Sequence, residues 1–593
     1  MTTKVFRSLL ALAAAAAMVL AACAPTEAAP DSNGGALTCT LWSSYQRFWD
    51  LAAQTYPEIA LEFDAYAGAN STGYSWAQMR AGDIPDIFIT TQILDEELAK
   101  EQLVDLSSYE FANGFSTGLL DQVSIDGGIY LLPVSTAFYG IFYNKTLMEE
   151  HGWALPEDFS QLEELCAQIR EAGLIPGVLG TQLTGGPFST VFNLAKTSWL
   201  TTPEGAGWER DFLAGRASAA GRWEETMDYV QRYIDIGMLT VDPEDRGNPA
   251  LVLDYLGNRK AVFCTAVMTV NITQLPDTGD QLGMMPFISE DGGKNSYMYN
   301  PNSYIGISKR LTEPGNEEKL ENALKLLSLL FSPEGQSEFI SEETPCFLSV
   351  LDSAVLPEDS MIYDAQQAMR HGRAFPMTYS GWSDILSGVG QAFKEWFRGE
   401  NGTDGPRCIA RMDELQTSAL NNPESLIFCQ SEASFTLEET GALVAKALGS
   451  ATGADAAMVP IGTFYKEGIS LHAGVTGKLY AGGINVDVSN TIAPGYDGEY
   501  AILTMTGAQV KELAETGFDI AGDGAPFPYV LEIRGGGEPE EETVYQVAFP
   551  MKSYTGEVGQ AYAARVERGS VRAFLQEWLA EQKTVSPDGN LWE

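Results

Sequence analysis

The sequence predicts an α/β protein in two parts: a long α/β region over residues 37–421, then a separate, smaller α/β domain over 430–593. Three observations predict this. Short apolar strand runs alternate with capped amphipathic helices, the pattern of a parallel sheet covered on both faces. The composition changes near Asn421, where a segment carrying Trp382, Phe393, Trp396 and Phe397 gives way to a new series of capped helices and strands. The chain has 593 residues and 45% hydrophobic content, enough to bury more than one core.

Lys4 and Arg7 precede an apolar run from Leu9 to Ala22 that ends in small residues before Cys23. A charged start, a short apolar stretch and a small-residue exit are the pattern of a secretory signal. The run is shorter than the roughly 20 residues a bilayer crossing needs. Pro25 to Gly35 is small, polar and turn-rich, the composition of a tether.

Beyond the tether, Leu37 to Trp42 reads as a strand, about Tyr45 to Tyr56 as a helix, Ile59 to Phe63 as a second strand and Asp86 to Thr90 as a third. Ser160 with Glu163 has capping-box spacing, Leu162, Leu165, Cys166 and Ile169 share one apolar face, and Gly173 supplies the stop. Leu320, Ala323, Leu324, Leu327 and Phe331 mark another helix. Ser332-Pro333-Glu334 starts the next, with a cap, a proline in the first turn and an acid at the positive end of the dipole. In the last part, Thr436 with Glu439 and Thr506 with Gln509 make capping boxes, Tyr500 to Met505 is a strand, and Ser570 caps a final helix burying Trp578.

Composition excludes several functions. With 80 acidic and 36 basic residues the formal charge is −44, which repels a phosphate backbone and argues against a nucleic-acid partner. His151, His371 and His472 form no metal-spaced pair, so no metal site and no cofactor is expected. No nucleophile elbow, P-loop or dinucleotide fingerprint is present, so no catalytic residue is assigned. Among the cysteines there is no CxxC. Cys166 is expected as a free core thiol, and Cys408 with Cys429 is the best-placed pair for a disulfide.

The Leu20-Ala-Ala-Cys23 exit resembles the lipobox of bacterial lipoproteins. That resemblance implies a signal peptide over residues 1–22, lipidation of Cys23 and a tether over 23–36. The protein would then be anchored at the extracytoplasmic face of a cell membrane, of Gram-positive type.

Residues 37 to about 421 resemble the sugar-type (family 1) extracellular solute-binding proteins of ABC importers. The stations, in chain order, are Ala81-Gly-Asp-Ile-Pro-Asp86, Leu103 to Tyr109, Asp126-Gly-Gly-Ile-Tyr-Leu-Leu-Pro133, Gly140-Ile-Phe-Tyr-Asn-Lys145, His151 to Pro156 and Phe331-Ser-Pro-Glu-Gly-Gln336. The resemblance implies a two-lobed periplasmic-binding-protein-like (type II) fold with a hinge. A mono- or oligosaccharide would sit between the lobes, the permease transmembrane subunits of an ABC transporter would be the partner, and the protein would be a monomer.

Carried onto this sequence, the pattern places Trp42 at the end of the first strand and Thr91 and Gln92 after the third. Phe138 and Tyr139 fall at the first crossing, Phe188 after Gly186-Pro187, and Trp382 in Ser380-Gly-Trp-Ser-Asp384, with Tyr45, Tyr74 and Trp76 as further aromatics. Aromatic rings cover the apolar faces of sugars while polar groups fix orientation. Most aromatics in any chain are core, and Asp83 and Asp86 are expected to be structural. Gln92 stands where the family often has a carboxylate.

Residues 436 to about 555 resemble the C-terminal domain of 5′-nucleotidases, through Glu438 to Leu448, Ala451 to Val459, Leu503 to Val510 and Tyr545 to Ala548. Where that family has a substrate-contacting arginine motif, this chain reads Pro460-Ile-Gly-Thr-Phe464. The phosphoesterase domain has no counterpart, so the region is expected to be non-catalytic. Two other readings stay open: a cell-surface nucleotide- or nucleoside-binding, nucleotidase-related protein, and a sensor or adhesion lipoprotein on the same fold.

Overall fold

The computed structural model describes residues 35–41, 46–66, 68, 70–115, 119–120, 122–265, 275, 278–340, 347–351, 353–376, 380–382, 385–421, 427–462, 464–466, 469–471, 474–494, 498–516, 528–550, 565–587, 589 and 592. Cys23, Trp42 and Tyr45 lie outside the described residues, as do the signal segment and most of the tether. Among the described residues no helix is long and apolar enough to cross a membrane.

The first lobe is built on a seven-stranded sheet. Leu61–Ala65 pairs in parallel with Leu37–Leu41, Leu37 opposite Leu61, and Ile87–Thr90 is parallel on the other side. That register places the second strand two residues later than its apolar run, Ile59 to Phe63, suggests. The sheet is mixed rather than wholly parallel. Tyr297–Ile307 returns from the other lobe and enters antiparallel to both Ile87–Thr90 and Leu132–Tyr139. Asp86 ties the lobe together: its carboxylate accepts from the Thr38 amide at 3.0 Å and from Arg310 Nη2 at 2.8 Å, with Lys319 Nζ at 3.2 Å. Burial alone would raise the Asp86 carboxyl, but these donors and charges hold it below its ordinary range. Its expected structural role is thus observed.

The motif Ser332-Pro-Glu-Gly-Gln336 acquires a physical reason. Ser332 Oγ accepts from Gly335 N at 3.0 Å and caps the helix Pro333–Phe339. A Cβ at Gly335 would lie 1.8 Å from the Leu329 carbonyl oxygen, so only glycine fits where the two helices meet. Gln336 is buried. Its Nε2 donates to the carbonyls of Val134 (3.1 Å) and Leu330 (3.2 Å), and its Oε1 accepts from Ser349 Oγ (2.8 Å) and Val350 N (3.1 Å).

The second lobe carries a five-stranded sheet ordered Leu282–Met285, Ile141–Asn144, Ala261–Thr265, Ile175–Leu179 and Thr240–Val241. Its helix Phe159–Glu171 buries Leu162, Leu165, Cys166 and Ile169, as the periodicity predicts. The cap is Asp158 rather than Ser160: extended Asp158 takes the Gln161 amide at 2.8 Å, which leaves Ser160 inside the first turn.

The lobes are joined by three crossings. Leu132–Tyr139 ends in the first sheet and Ile141–Asn144 begins in the second, with only Gly140 between. Leu282–Met285 leads back towards Tyr297–Ile307. Ala374–Pro376, paired with Tyr297–Ile307, precedes the second-lobe helix Leu386–Arg398. At the first crossing a Cβ on Gly140 would stand 2.5 Å from the Met285 carbonyl oxygen, so two crossing segments touch backbone to backbone there.

Beyond Asn421 the described residues form an antiparallel pair of short strands, Phe464–Lys466 with Ile469–Leu471, and two larger sheets. One is three-stranded: Gly482–Ile484, Cys429–Ser431 and Thr584–Val585. The other is five-stranded: Tyr529–Ile533, Ala456–Pro460, Val544–Phe549, Gly498–Thr506 and Arg565–Gly569. The Thr436–Glu439 box is present with both hydrogen bonds. So is the reciprocal pair between Thr506 and Gln509, at 2.8 and 3.3 Å. Ser570 caps the helix Val571–Gln582 and Trp578 is buried.

The proposed disulfide is corrected: Cys408 and Cys429 are both free and buried. Cys408 faces Ala392 O from the helix Gly405–Asn421, and Cys429 sits on a strand of the last region, so each belongs to a different core. Cys166 is a free core thiol as expected.

Candidate functional site

The carboxyl ends of parallel strands in open α/β sheets form crevices for ligands. In the first lobe the ends of Leu61–Ala65 and Ile87–Thr90 lead into Tyr66, Asn70, Thr91 and Gln92. In the second, the end of Ile175–Leu179 leads into Thr181 and Gln182.

Thr91 and Gln92 are half-buried. They are held by the helix Ser71–Ala81, which Asn70 caps through its side-chain oxygen. Thr72 and Thr91 share a short hydroxyl–hydroxyl contact. Trp76 Nε1 donates to the Gln92 carbonyl at 2.8 Å and Thr90 Oγ1 to the same oxygen at 3.1 Å. The Gln92 backbone is thereby fixed. Trp76 itself is buried and acts on the loop from behind.

Tyr74 is also buried, stacked on Tyr66 with centroids 4.4 Å apart. Beside them, Asp64 is the next-to-last residue of the second strand. Burial pushes its carboxyl up, partly countered by Gln78 Nε2 donating at 2.6 Å. Sequence reasoning missed Asp64, Tyr66 and Asn70. The available signal was an acid at an apolar strand's end, followed by a Gly-Ala-Asn turn.

The other aromatics expected to line the crevice are more enclosed than their loop-like sequence settings suggest. Phe138 and Tyr139 are buried within the hinge, opposite Tyr299 and Met298. Phe188 stacks on Phe192 at 4.1 Å inside the second lobe. Trp382 lies 4.5 Å from Phe192 and 5.1 Å from Phe212, and its Nε1 donates to Glu209 Oε1 at 2.8 Å. Phe188 is 0% and Trp382 1% exposed, so in this arrangement neither ring offers a face to solvent. They were expected at the surface because a glycine-flanked aromatic reads as a loop. The packing instead gathers Phe188, Phe192, Trp208, Phe212, Trp223 and Trp382 into one core.

Near the second-lobe rim opens a cavity of about 840 Å³. Gln182, Leu183 and Thr184 follow a strand end there, Ser387 and Gln391 come from the helix Leu386–Arg398, and Asn490 comes from the last region. Among the described residues no group of three or more His, Cys, Asp or Glu is arranged to hold a metal.

The observed frame is thus a pair of α/β lobes joined by three crossings, with polar residues following strand ends in each lobe. Residues 43–337 match the family described as bacterial extracellular solute-binding protein. An uncharacterized ABC transporter extracellular-binding protein from Pyrococcus horikoshii is 23% identical over 295 residues, 47% of this chain and 63% of that protein. The chain thus spans less than two thirds of that relative.

Solved structures share the fold. A sugar transporter protein from Bacillus licheniformis, in complex with stachyose, aligns with a TM-score of 0.52 at 17% identity, covering 64% of this chain and 98% of that one. A binding protein from Bacillus subtilis in an open conformation aligns at 0.54 and 15% identity, covering 66% and 100%. RafE in complex with raffinose aligns at 0.51 and 17%, covering 64% and 98%. Over residues 43–337, about half of its length, the chain is thus similar to bacterial extracellular solute-binding proteins, and its two lobes share their fold with the solved structures.

Proposed function

We propose that this protein is a lipid-anchored extracytoplasmic receptor that captures a mono- or oligosaccharide between its lobes and presents it to an ABC permease. The observation that carries the reading is the pair of α/β lobes, with polar residues after strand ends in each, joined at a glycine-tight crossing. A solute contacting both lobes gains affinity in one lobe arrangement over another, and that difference drives the motion a permease would read. Stachyose and raffinose in the complexes of structural relatives support the carbohydrate class.

Trp42 and Tyr45, with Thr91 and Gln92, form the solute-facing set on the first lobe. Phe138 and Tyr139 transmit its position through the hinge. Phe188 and Trp382 stiffen the aromatic wall of the second lobe. Cys23 carries the lipid, and two acyl chains there hold the receptor stably at the membrane. Residues 37–421 form the receptor proper. Residues 430–593 form a non-catalytic module of the 5′-nucleotidase C-terminal type.

A thermal-shift screen over sugars, nucleosides and peptides tests the reading. Ligand at 100 times its dissociation constant stabilises by about 2.7 kcal/mol. An oligosaccharide hit lost in Trp42→Ala supports it; a nucleoside hit with no sugar response contradicts it.

A further inference from the structure

The last region of the chain does not stand apart from the crevice. On the first lobe it meets the residues that follow the strand ends. Tyr66 Oη donates to the Thr491 carbonyl at 3.1 Å, and Asn70 Nδ2 donates to the Asp487 carbonyl at 3.3 Å. Asp83 accepts from Tyr480 Oη at 3.0 Å and pairs with Lys478 Nζ at 3.4 Å. The Tyr480 ring is 6.4 Å from Tyr74, which stacks on Tyr66. A Cβ at Gly477 would stand 3.1 Å from the Tyr66 ring, so the two surfaces are in close contact.

On the second lobe the contact is of another kind. Ser387 Oγ donates to Asp487 Oδ1 at 2.7 Å, a short bond to a carboxylate. Beside it opens the cavity of about 840 Å³ rather than a packed interface. Asp487 therefore reaches both lobes from the short helix Val486–Ile492: its carbonyl takes the first lobe and its carboxylate the second.

We propose that the carboxy-terminal region is an intramolecular clasp across the crevice, anchored on the first lobe through Tyr66, Asn70 and Asp83 and latched to the second by Ser387–Asp487. The clasp rests on the reading of the crevice as a hinged solute site. Lobe motion changes the separation of Asn70 and Ser387. Asp487 satisfies both at one separation only, so rearrangement of the lobes releases the latch. By linkage, whatever stabilises the latched arrangement opposes a solute that favours another one, and the solute opposes the latch by the same factor. The weaker, cavity-flanked side is the one that opens, and the clasp travels with the first lobe.

The test uses the full chain with Cys23 and Cys346 replaced by serine; the other five cysteines are buried. Spin labels at Glu58→Cys on the first lobe and Glu171→Cys on the second, both at exposed positions, report the inter-lobe distance by pulsed electron resonance. Without solute, the parent should give one dominant distance. Ser387→Ala and Asp487→Asn should each raise the population of other distances about tenfold, the worth of one hydrogen bond to a charge. Ser387→Ala removes a single hydroxyl from a half-buried position, so it tests the latch without threatening the fold. Identical distance distributions in all three proteins would overturn the clasp. A sugar that shifts the distances equally in the parent and in Ser387→Ala would also overturn it. If no sugar moves any of the three, the carbohydrate reading fails while the solute-free comparison still decides the clasp.

Discussion

Gly140 offers the sharpest stability prediction, because it is the single residue between the two sheets at the first crossing. In Gly140→Ala the new Cβ would lie 2.5 Å from the Met285 carbonyl oxygen and 2.8 Å from Met284 Cγ. Relief needs about 1 Å of movement to reach ordinary contact, and the side chain of Met284 can supply only part of it. The carbonyl is harder to move. Met285 is paired with Ile141 and Met284 with Phe142 in the ladder beside the glycine, so the crossing segments must splay together. Overpacking of this kind costs about 1–3 kcal/mol. At roughly 2–4 °C per kcal/mol for a unit of 150–250 residues, a loss near 2 kcal/mol lowers the melting temperature by about 4–8 °C. Calorimetry of the solute-free protein is the assay. Gly185→Ala is the control, since nothing lies within 4 Å of its Cβ. A Gly140→Ala protein that melts like the parent, or no lower than Gly185→Ala, would refute the close-approach argument.

Gln336→Leu keeps the volume but leaves two carbonyls, the Val350 amide and the Ser349 hydroxyl without their partner; a loss of about 3–5 kcal/mol is expected in the first-lobe melting transition. Trp382→Ala should destabilise the second lobe by about 3–5 kcal/mol, because the ring is core, whereas Trp42→Ala should weaken solute binding in calorimetric titration. Acid should unfold the lobes through Asp86 and Asp242. Burial opposes ionisation of Asp242, yet the Arg246 side chain and amide hold its carboxyl down at about 2. A depressed carboxyl adds stability above its unfolded value near 3.9 and loses it as pH falls through the folded value, so the loss spans pH about 4 to about 2. Asp242→Asn should flatten that part of the pH–stability curve followed by circular dichroism; an unchanged slope would contradict the assignment.

Much of the scaffold was legible because its signals are local. Thr436 with Glu439, Thr506 with Gln509, Ser332-Pro333 and Ser570 all cap the helices they predict, since a cap needs only residues three apart. Asp158 displaced Ser160 because two acceptors compete for one turn and the extended one wins. The register of Leu61–Ala65 is set by a partner 24 residues away, which no local pattern contains. The crevice was the least legible. Phe188 and Trp382 are glycine-flanked like loop residues, but long-range packing encloses them with Phe192 and Phe212. Asp83 is held by Lys478 and Tyr480, which come from the far end of the chain rather than from the turn that precedes the third strand. A bridge from Ser387 to Asp487 spans 100 residues and two folding units, and nothing in either segment announces it.

For this receptor to work, a sugar must bind between the lobes. Isothermal titration of the full chain with oligosaccharides of the raffinose and stachyose type, repeated on Trp42→Ala, tests it most directly. Saturable one-to-one binding is expected, weakening at least tenfold in the variant, the factor lost with about 1.4 kcal/mol of ring contact. Saturable binding of a nucleoside with no heat from any sugar, or sugar binding indifferent to Trp42→Ala, would contradict it.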